Sequence, residues 1–214
     1  MQVEIWADVV CPWCYLGTRH FGQALERFPH RDEVEVIYRS FELDPFAPAG
    51  VAAPTVEVLA SKYGMGLEQA REAQRQLEQR AAQAGLTFRM ADLRSGSTRD
   101  AHRLLQLARA RGRQAELAER LYRAYFTDQA SIFDHLSLAG FAADAGLDRD
   151  ETLAVLAGDE YAEAVDADVE VARSFGVSGV PFFVIDRRYG MSGAQPAETI
   201  AAVLEQVWAE TEAA

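Results

Sequence analysis

Cys11-Pro12-Trp13-Cys14 holds the only two cysteines of this 214-residue chain. Such a pair is a dithiol when reduced and, when oxidised, a disulfide that another thiolate can open. An apolar run from Val3 to Val10 leads into it and reads as a strand. Behind it, Cys14, Gly17, Phe21, Ala24, Leu25 and Phe28 recur at helical spacing. A strand that delivers Cys-x-x-Cys to the start of a helix is the layout of a thiol–disulfide redox site. A sulfur at a helix N-terminus faces unpaired backbone N–H groups and the positive end of the helix dipole, and both favour the thiolate. Pro12 suits the first turn, where its missing N–H has no partner to lose. Cys14 follows one turn further in, within reach of a mixed disulfide at Cys11. Cys11 is therefore expected to attack and Cys14 to resolve.

Three plainer readings compete. A structural disulfide would close only a very small loop and needs no helix start. A zinc half-site needs two further ligands, and His20, His30, His102 and His135 form no paired spacing. Two incidental buried cysteines are the third. The redox reading needs no metal and no nucleotide, because the disulfide is itself the reagent.

Composition narrows the partners. The formal net charge is −12, and Lys62 is the only lysine. An acidic chain is a poor match for nucleic acid, which is bound through clustered positive charge, and equally for anionic membranes. No run approaches the roughly 18 apolar residues of a membrane span. The start shows no basic segment, apolar core or small-residue cleavage site. The expected compartment is the cytoplasm, where a dithiol is more often catalytic than structural.

The elements that must position the thiols follow. Val34 to Phe41 reads as a second strand, closed by Glu42-Leu43-Asp44-Pro45, and residues 46–54 read as a loop. From Thr55 to Phe175 almost only helical patterns appear, one of them with Asp159 as its expected cap. Strands return at Val180 to Ile185 and Tyr189 to Ser192, joined by a tight turn at Asp186-Arg187-Arg188, and Pro196 opens a last helix. The order is βαβ, a helical block, then ββα. Neither β half makes a stable sheet alone, so the two must pair across the insertion. The expected fold class is α/β, a thioredoxin-like fold with a large all-helical insertion between the second and third strands. Residues 1–45 and 176–214 form the thioredoxin-like part and 46–175 the insertion.

Six segments then resemble one family. Cys11-Pro12-Trp13-Cys14-Tyr15-Leu16-Gly17 is similar to the active-site segment of the DsbA family, in particular its FrnE-type branch. So are Phe41 to Pro45, Thr98 to Leu104, Ala124 to Thr127, Gly176 to Phe183 and Gly193 to Pro196. The branch often has asparagine where this chain has Ser97. The resemblance implies a thiol–disulfide oxidoreductase acting through a mixed disulfide on Cys11. Its partner would be a substrate protein or a low-molecular-weight thiol, with glutathione as a candidate co-substrate and a homodimer as the assembly. It also implies a cis Val180–Pro181 bond facing the thiols, with Val180 presenting its backbone to an extended substrate. Periplasmic relatives carry Pro-His between the cysteines. Trp13 cannot add the positive charge that a protonated histidine would, so a less oxidising potential is expected.

Supporting residues complete the expected site. Pro12 and Trp13 flank Cys11, and Trp13 is expected on the surface, in contact with substrate. His102 lies beside the apolar stripe Ala101, Leu104, Leu105, where a packing role is usual; the motif around it adds a substrate-binding one. Asp8 precedes Cys11 by three residues. Its charge would oppose the thiolate, or it relays a proton to Cys14, or it is a solvated strand end. Two other functions stay open at this point. One is a glutathione-dependent transferase or isomerase of the kappa-class or 2-hydroxychromene-2-carboxylate isomerase type, although those carry serine where this chain has Cys11. The other is a redox-sensing binding protein or chaperone.

Overall fold

Residues 3 to 7 have no solvent face: strand β1 (Gln2–Ala7) is buried from Val3 onward. That is the pattern of a central strand covered by helices on both sides. The computed structural model, which describes residues 1–212, places β1 between β2 (Glu35–Ser40), parallel to it, and β5 (Phe182–Ile185), antiparallel. β6 (Tyr189–Ser192) completes the order β2-β1-β5-β6. Asp186 and Arg187 turn the β5–β6 hairpin with φ of +48° and +55°, and the Asp186 carboxylate accepts from the Gln2 N–H at 2.6 Å. A βαβ half and a ββα half thus share one sheet, as the element order requires.

Period-two alternation sorts the β1 side chains. Val3, Ile5 and Ala7 join the main core with α1 (Pro12–Arg27) and α9 (Ala197–Glu212). Phe21 of α1 stacks on Phe183 of β5 with ring centroids 5.8 Å apart. Glu4 and Trp6 face the other way. Trp6 packs with Ala172 and Val177, and its indole N–H donates to the Asp168 carbonyl at 2.9 Å.

The insertion carries α2 (Thr55–Tyr63), α3 (Leu67–Gln83), α4 (Arg99–Ala110), α5 (Gln114–Phe126), α6 (His135–Asp144), α7 (Arg149–Ala157) and α8 (Ala162–Ser174). Two short strands, β3 (Ala53–Pro54) and β4 (Arg94–Ser95), pair antiparallel within it. The expectation of helix alone is corrected there; two residues per strand are too few to show any alternation. The expected Asp159 cap is corrected too. α8 starts after Tyr161, at φ +65°, and no side chain caps it. Asp134 and Asp148 cap α6 and α7 instead, each accepting a backbone N–H.

An exposed edge strand invites mispairing, and the insertion covers the edge of β2. The Gln114 side-chain amide accepts from the Tyr38 N–H at 3.0 Å and donates to the Tyr38 carbonyl at 2.9 Å, as a neighbouring strand would. The Asp168 carboxylate accepts from the Ser40 N–H at 2.9 Å, the Gln106 amide at 2.6 Å and Arg39 at 3.0 Å. Arg39 also donates to Glu4 at 2.8 Å. These contacts lock α4, α5 and α8 onto the sheet, and so fix the insertion relative to the thiols.

Candidate active site

Cys11 is the N-cap of α1, with Pro12 at the first helical position and no acidic residue in the first turn. Both cysteines are free thiols. Their surroundings differ. Cys11 lines a cleft, and its Sγ donates to the Val180 carbonyl at 3.7 Å. Cys14 is fully buried. Burial pushes its thiol well up; the neighbouring Cys11 and the Asp8 charge add to that, and a hydrogen bond with the Asp8 main chain opposes it. Cys11 is only 5% exposed but borders the cleft, from which an incoming disulfide can approach its sulfur, while Cys14 is shielded.

The Val180–Pro181 peptide is cis. The loop carrying it reaches α1 because Gly17 has no side chain: a Cβ there would lie 2.8 Å from Pro181 Cγ. Gly17→Ala must therefore push the Pro181 loop off α1 and draw Val180 away from Cys11. Overpacking of this kind costs about 1–3 kcal/mol, and a slower Cys11 reaction should accompany it. At Gly22, on the same helix, a Cβ would meet nothing within 4 Å. Gly22→Ala is expected to be neutral or stabilising by up to about 1 kcal/mol. Urea midpoints and disulfide-exchange rates of both variants check this.

The cleft holds about 800 Å³. α2 and α3 contribute Leu59, Lys62, Leu77 and Arg80 to its lining; Cys11 and Val180 line it too. Tyr125 and Phe126 are buried and also line it. Trp13 is 41% exposed and separates this cleft from a shallower one beside Pro181. The Arg80 guanidinium lies 5.5 Å from the Trp13 ring centroid. Leu43, Val51 and Tyr63 are exposed apolar residues on the cleft lining, and Phe46 is 93% exposed nearby. Lys62 and Arg80 bring two cations to the mouth of a site in an acidic chain.

Pro12, Trp13, Val180 and Cys11 come together on the cleft; Pro181 borders the shallower depression. Asp8 borders the same cleft, whereas His102 does not. Asp8 is not a solvated strand end: it is 1% exposed, and its Oδ2 accepts from the Leu43 N–H at 2.8 Å. His102 does not reach substrate space, because α4 turns it inward and leaves it 1% exposed. Its Nε2 stands 3.4 Å from Asp8 Oδ1. Sequence reasoning missed Glu42 and Arg99, which flank this pair. Arg99 contacts the Glu42 carboxylate at 3.3 Å and is held by Asp166 at 2.8 Å. Burial raises the Glu42 carboxyl, while His102 and Arg99 pull it the other way. The place of Glu42 within the Phe41 to Pro45 segment was the one signal for it. Ser97 Oγ accepts from the Arg99 N–H at 3.4 Å, filling the asparagine position with a shorter side chain.

Comparison with known proteins places this geometry. A family model described as a DSBA-like thioredoxin domain matches residues 2–205. The chain is similar to the crystal structure of a probable DsbA oxidoreductase from Streptomyces coelicolor, with 50% identity and a TM-score of 0.94, covering 98% of this chain and 91% of that one. A putative protein disulfide isomerase from Nitrosomonas europaea shares the fold at 16% identity and a TM-score of 0.74, covering 98% of each chain. The cytosolic disulfide reductase DsbM from Pseudomonas aeruginosa, in a structure with GSH, does so at 15% identity and a TM-score of 0.66, covering 97% of this chain and 99% of that one. Comparison with curated protein sequences found no match. Among the described residues, no helix is long and apolar enough to cross a membrane.

Proposed function

Because the chain belongs to the DsbA-like thioredoxin family, as a disulfide oxidoreductase with the pair Cys11–Cys14, we propose that it exchanges disulfides through a mixed disulfide on Cys11. The observation that carries this reading is the inequality of the two thiols, one on a cleft and one sealed behind it. Cys11 thiolate attacks a substrate disulfide, forming a new S–S bond and expelling one substrate thiolate. Cys14 thiolate then attacks Cys11 sulfur, forming Cys11–Cys14 and releasing the second. The reverse sequence oxidises a dithiol. Trp13 and the Val180 backbone border the entering segment, and the apolar rim at Leu43, Phe46 and Val51 favours an apolar, extended stretch over a charged one.

The active-site segment, with Pro-Trp between its cysteines, supports placement in the FrnE-type branch, and the shared fold of the cytosolic disulfide reductase DsbM suits action in the cytoplasm. Glutathione is a fitting small co-substrate. DsbM has a structure with GSH, and Lys62 and Arg80 give this cleft two cations for its carboxylates. Retention of both cysteines favours exchange over the transferase or isomerase chemistry of serine-bearing relatives.

The reduction potential tests the reading. Trp13 supplies no positive charge beside Cys11, so the potential should fall in the glutaredoxin range, about −200 to −230 mV. Equilibration with glutathione redox buffers measures it. A value near the strongly oxidising −120 mV class would refute the role given to Trp13.

A further inference from the structure

Gln74 is 3% exposed, borders the cleft, and its Nε2 has no hydrogen-bond partner among the described residues. It shares the buried stripe of α3 with Ala70 and Ala81, where helical spacing favours an apolar residue. Burying an amide without a partner costs free energy that an apolar side chain would not, and buried polar groups are almost always hydrogen-bonded. For packing alone, leucine or methionine would serve better. The unused donor marks a place for an acceptor that arrives from outside. The terminal torsion of glutamine is soft and no partner holds the nitrogen, so the carboxamide can turn its N–H groups to the cleft. Much of the remaining lining is apolar, including Leu59, Leu77, Met90, Leu93 and Phe126. A hydrogen bond made in such surroundings is stronger than one in water. The charges are disposed to match. The acids of α3 are engaged, Glu68 by Arg71, Glu72 by Arg75 and Glu78 by the Met90 N–H. Asp8 and Asp44, which also border the cleft, accept the backbone N–H groups of Leu43 and Phe46. Lys62 and Arg80 remain as cations on the lining, with Arg80 over the Trp13 ring.

We propose that Gln74 is a binding residue for a low-molecular-weight disulfide built from peptide units, its side-chain N–H donating to a peptide carbonyl while Lys62 and Arg80 receive the carboxylates. The proposal rests on the exchange reading above and names the substrate class of that cleft: a small, anionic, amide-bearing disulfide. The size agrees, since about 800 Å³ lies within the range of small-molecule sites. A disulfide that lacks a peptide carbonyl leaves Gln74 unpaired. A site built to hydrogen-bond its substrate rejects an analogue without the matching group, so discrimination is what Gln74 contributes. It does not act on sulfur. Its hydrogen bond is made equally in the bound ground state and in the transition state, so its loss raises KM and leaves kcat alone.

Oxidation of the reduced protein by three disulfides, followed by tryptophan fluorescence, tests this. Each passes the electron pair of the Cys11–Cys14 dithiol to the disulfide and frees two small thiols. Glutathione disulfide carries peptide amides and carboxylates, dithiodipropionate carboxylates alone, and bis(hydroxyethyl) disulfide neither. Gln74→Met keeps the length of the side chain and removes the unpaired amide, so its urea midpoint should not fall. It should raise the half-saturating concentration of glutathione disulfide about 10-fold at an unchanged maximal rate, and hold the other two within about twofold. Lys62→Gln should slow both anionic disulfides and spare the neutral one, by a margin that shrinks at high salt. Equal slowing of all three by Gln74→Met overturns the proposal, and so does an unchanged response to glutathione disulfide. An equal slowing of insulin reduction would put a polypeptide in the subsite and overturn it too. Should the variant fail to fold, wild type decides: S-methylglutathione competes with bis(hydroxyethyl) disulfide and S-methylcysteine, which has no peptide amide, does not, or the proposal fails. A wild type inert to every disulfide would instead overturn the exchange reading, and the proposal with it.

Discussion

Cys11→Ser is expected to abolish insulin reduction, by about 1000-fold or more, as befits removal of the sulfur that attacks substrate. Cys14→Ser should fail differently. Its Cys11 stays on the cleft, attacks once, and stops at a mixed disulfide that nothing inside the protein can resolve. Turnover falls as far as in Cys11→Ser, but the trapped adduct accumulates and is visible by mass as one substrate thiol per chain. The two variants together separate the competing functions. Exchange loses turnover in both. A glutathione-dependent transferase or isomerase keeps its activity in Cys14→Ser, because only the outer position touches substrate there. A binding protein keeps its function in both.

Asp168→Ala is expected to be the most damaging change away from the thiols. It strips the Ser40 N–H and the Gln106 amide of a shared acceptor and takes one counter-charge from Arg39. The Asp168 side chain is 5% exposed, so water cannot take its place. Loss of one partner in a buried charged network costs about 3–5 kcal/mol, a large part of the roughly 5–15 kcal/mol that holds a typical domain folded. Asp168→Asn keeps the shape and one acceptor oxygen and should cost less than half as much. Urea denaturation reads both: the midpoint should fall with an unchanged slope. Far-ultraviolet circular dichroism below the transition should stay native, since the helices of the insertion hold their own hydrogen bonds.

The legible parts of this molecule were those written locally. Cys-x-x-Cys at a strand-to-helix junction, the Val180 to Ile185 run and the long helical patterns each carry their own signal within a few residues. What escaped depends on which distant segment covers a residue. Asp8 read equally well as a solvated strand end, because nothing near it says that α4 closes over that face. His102 was legible as an oddity in an apolar stripe, but its side of the helix decides whether it meets substrate or Asp8. Asp168 and Gln114 are single polar residues on helices, without periodicity. Their role, covering the open edge of β2, exists only once the insertion has docked. The β3–β4 pair is too short to register in any pattern.

Alkylation of the native, reduced protein is the most direct test of the claim that the two thiols are unequal. Limited iodoacetamide treatment followed by peptide mass mapping should find one adduct, on Cys11, with Cys14 labelled only after denaturation. Equal labelling of both cysteines, or modification of Cys14 before Cys11, would contradict the account.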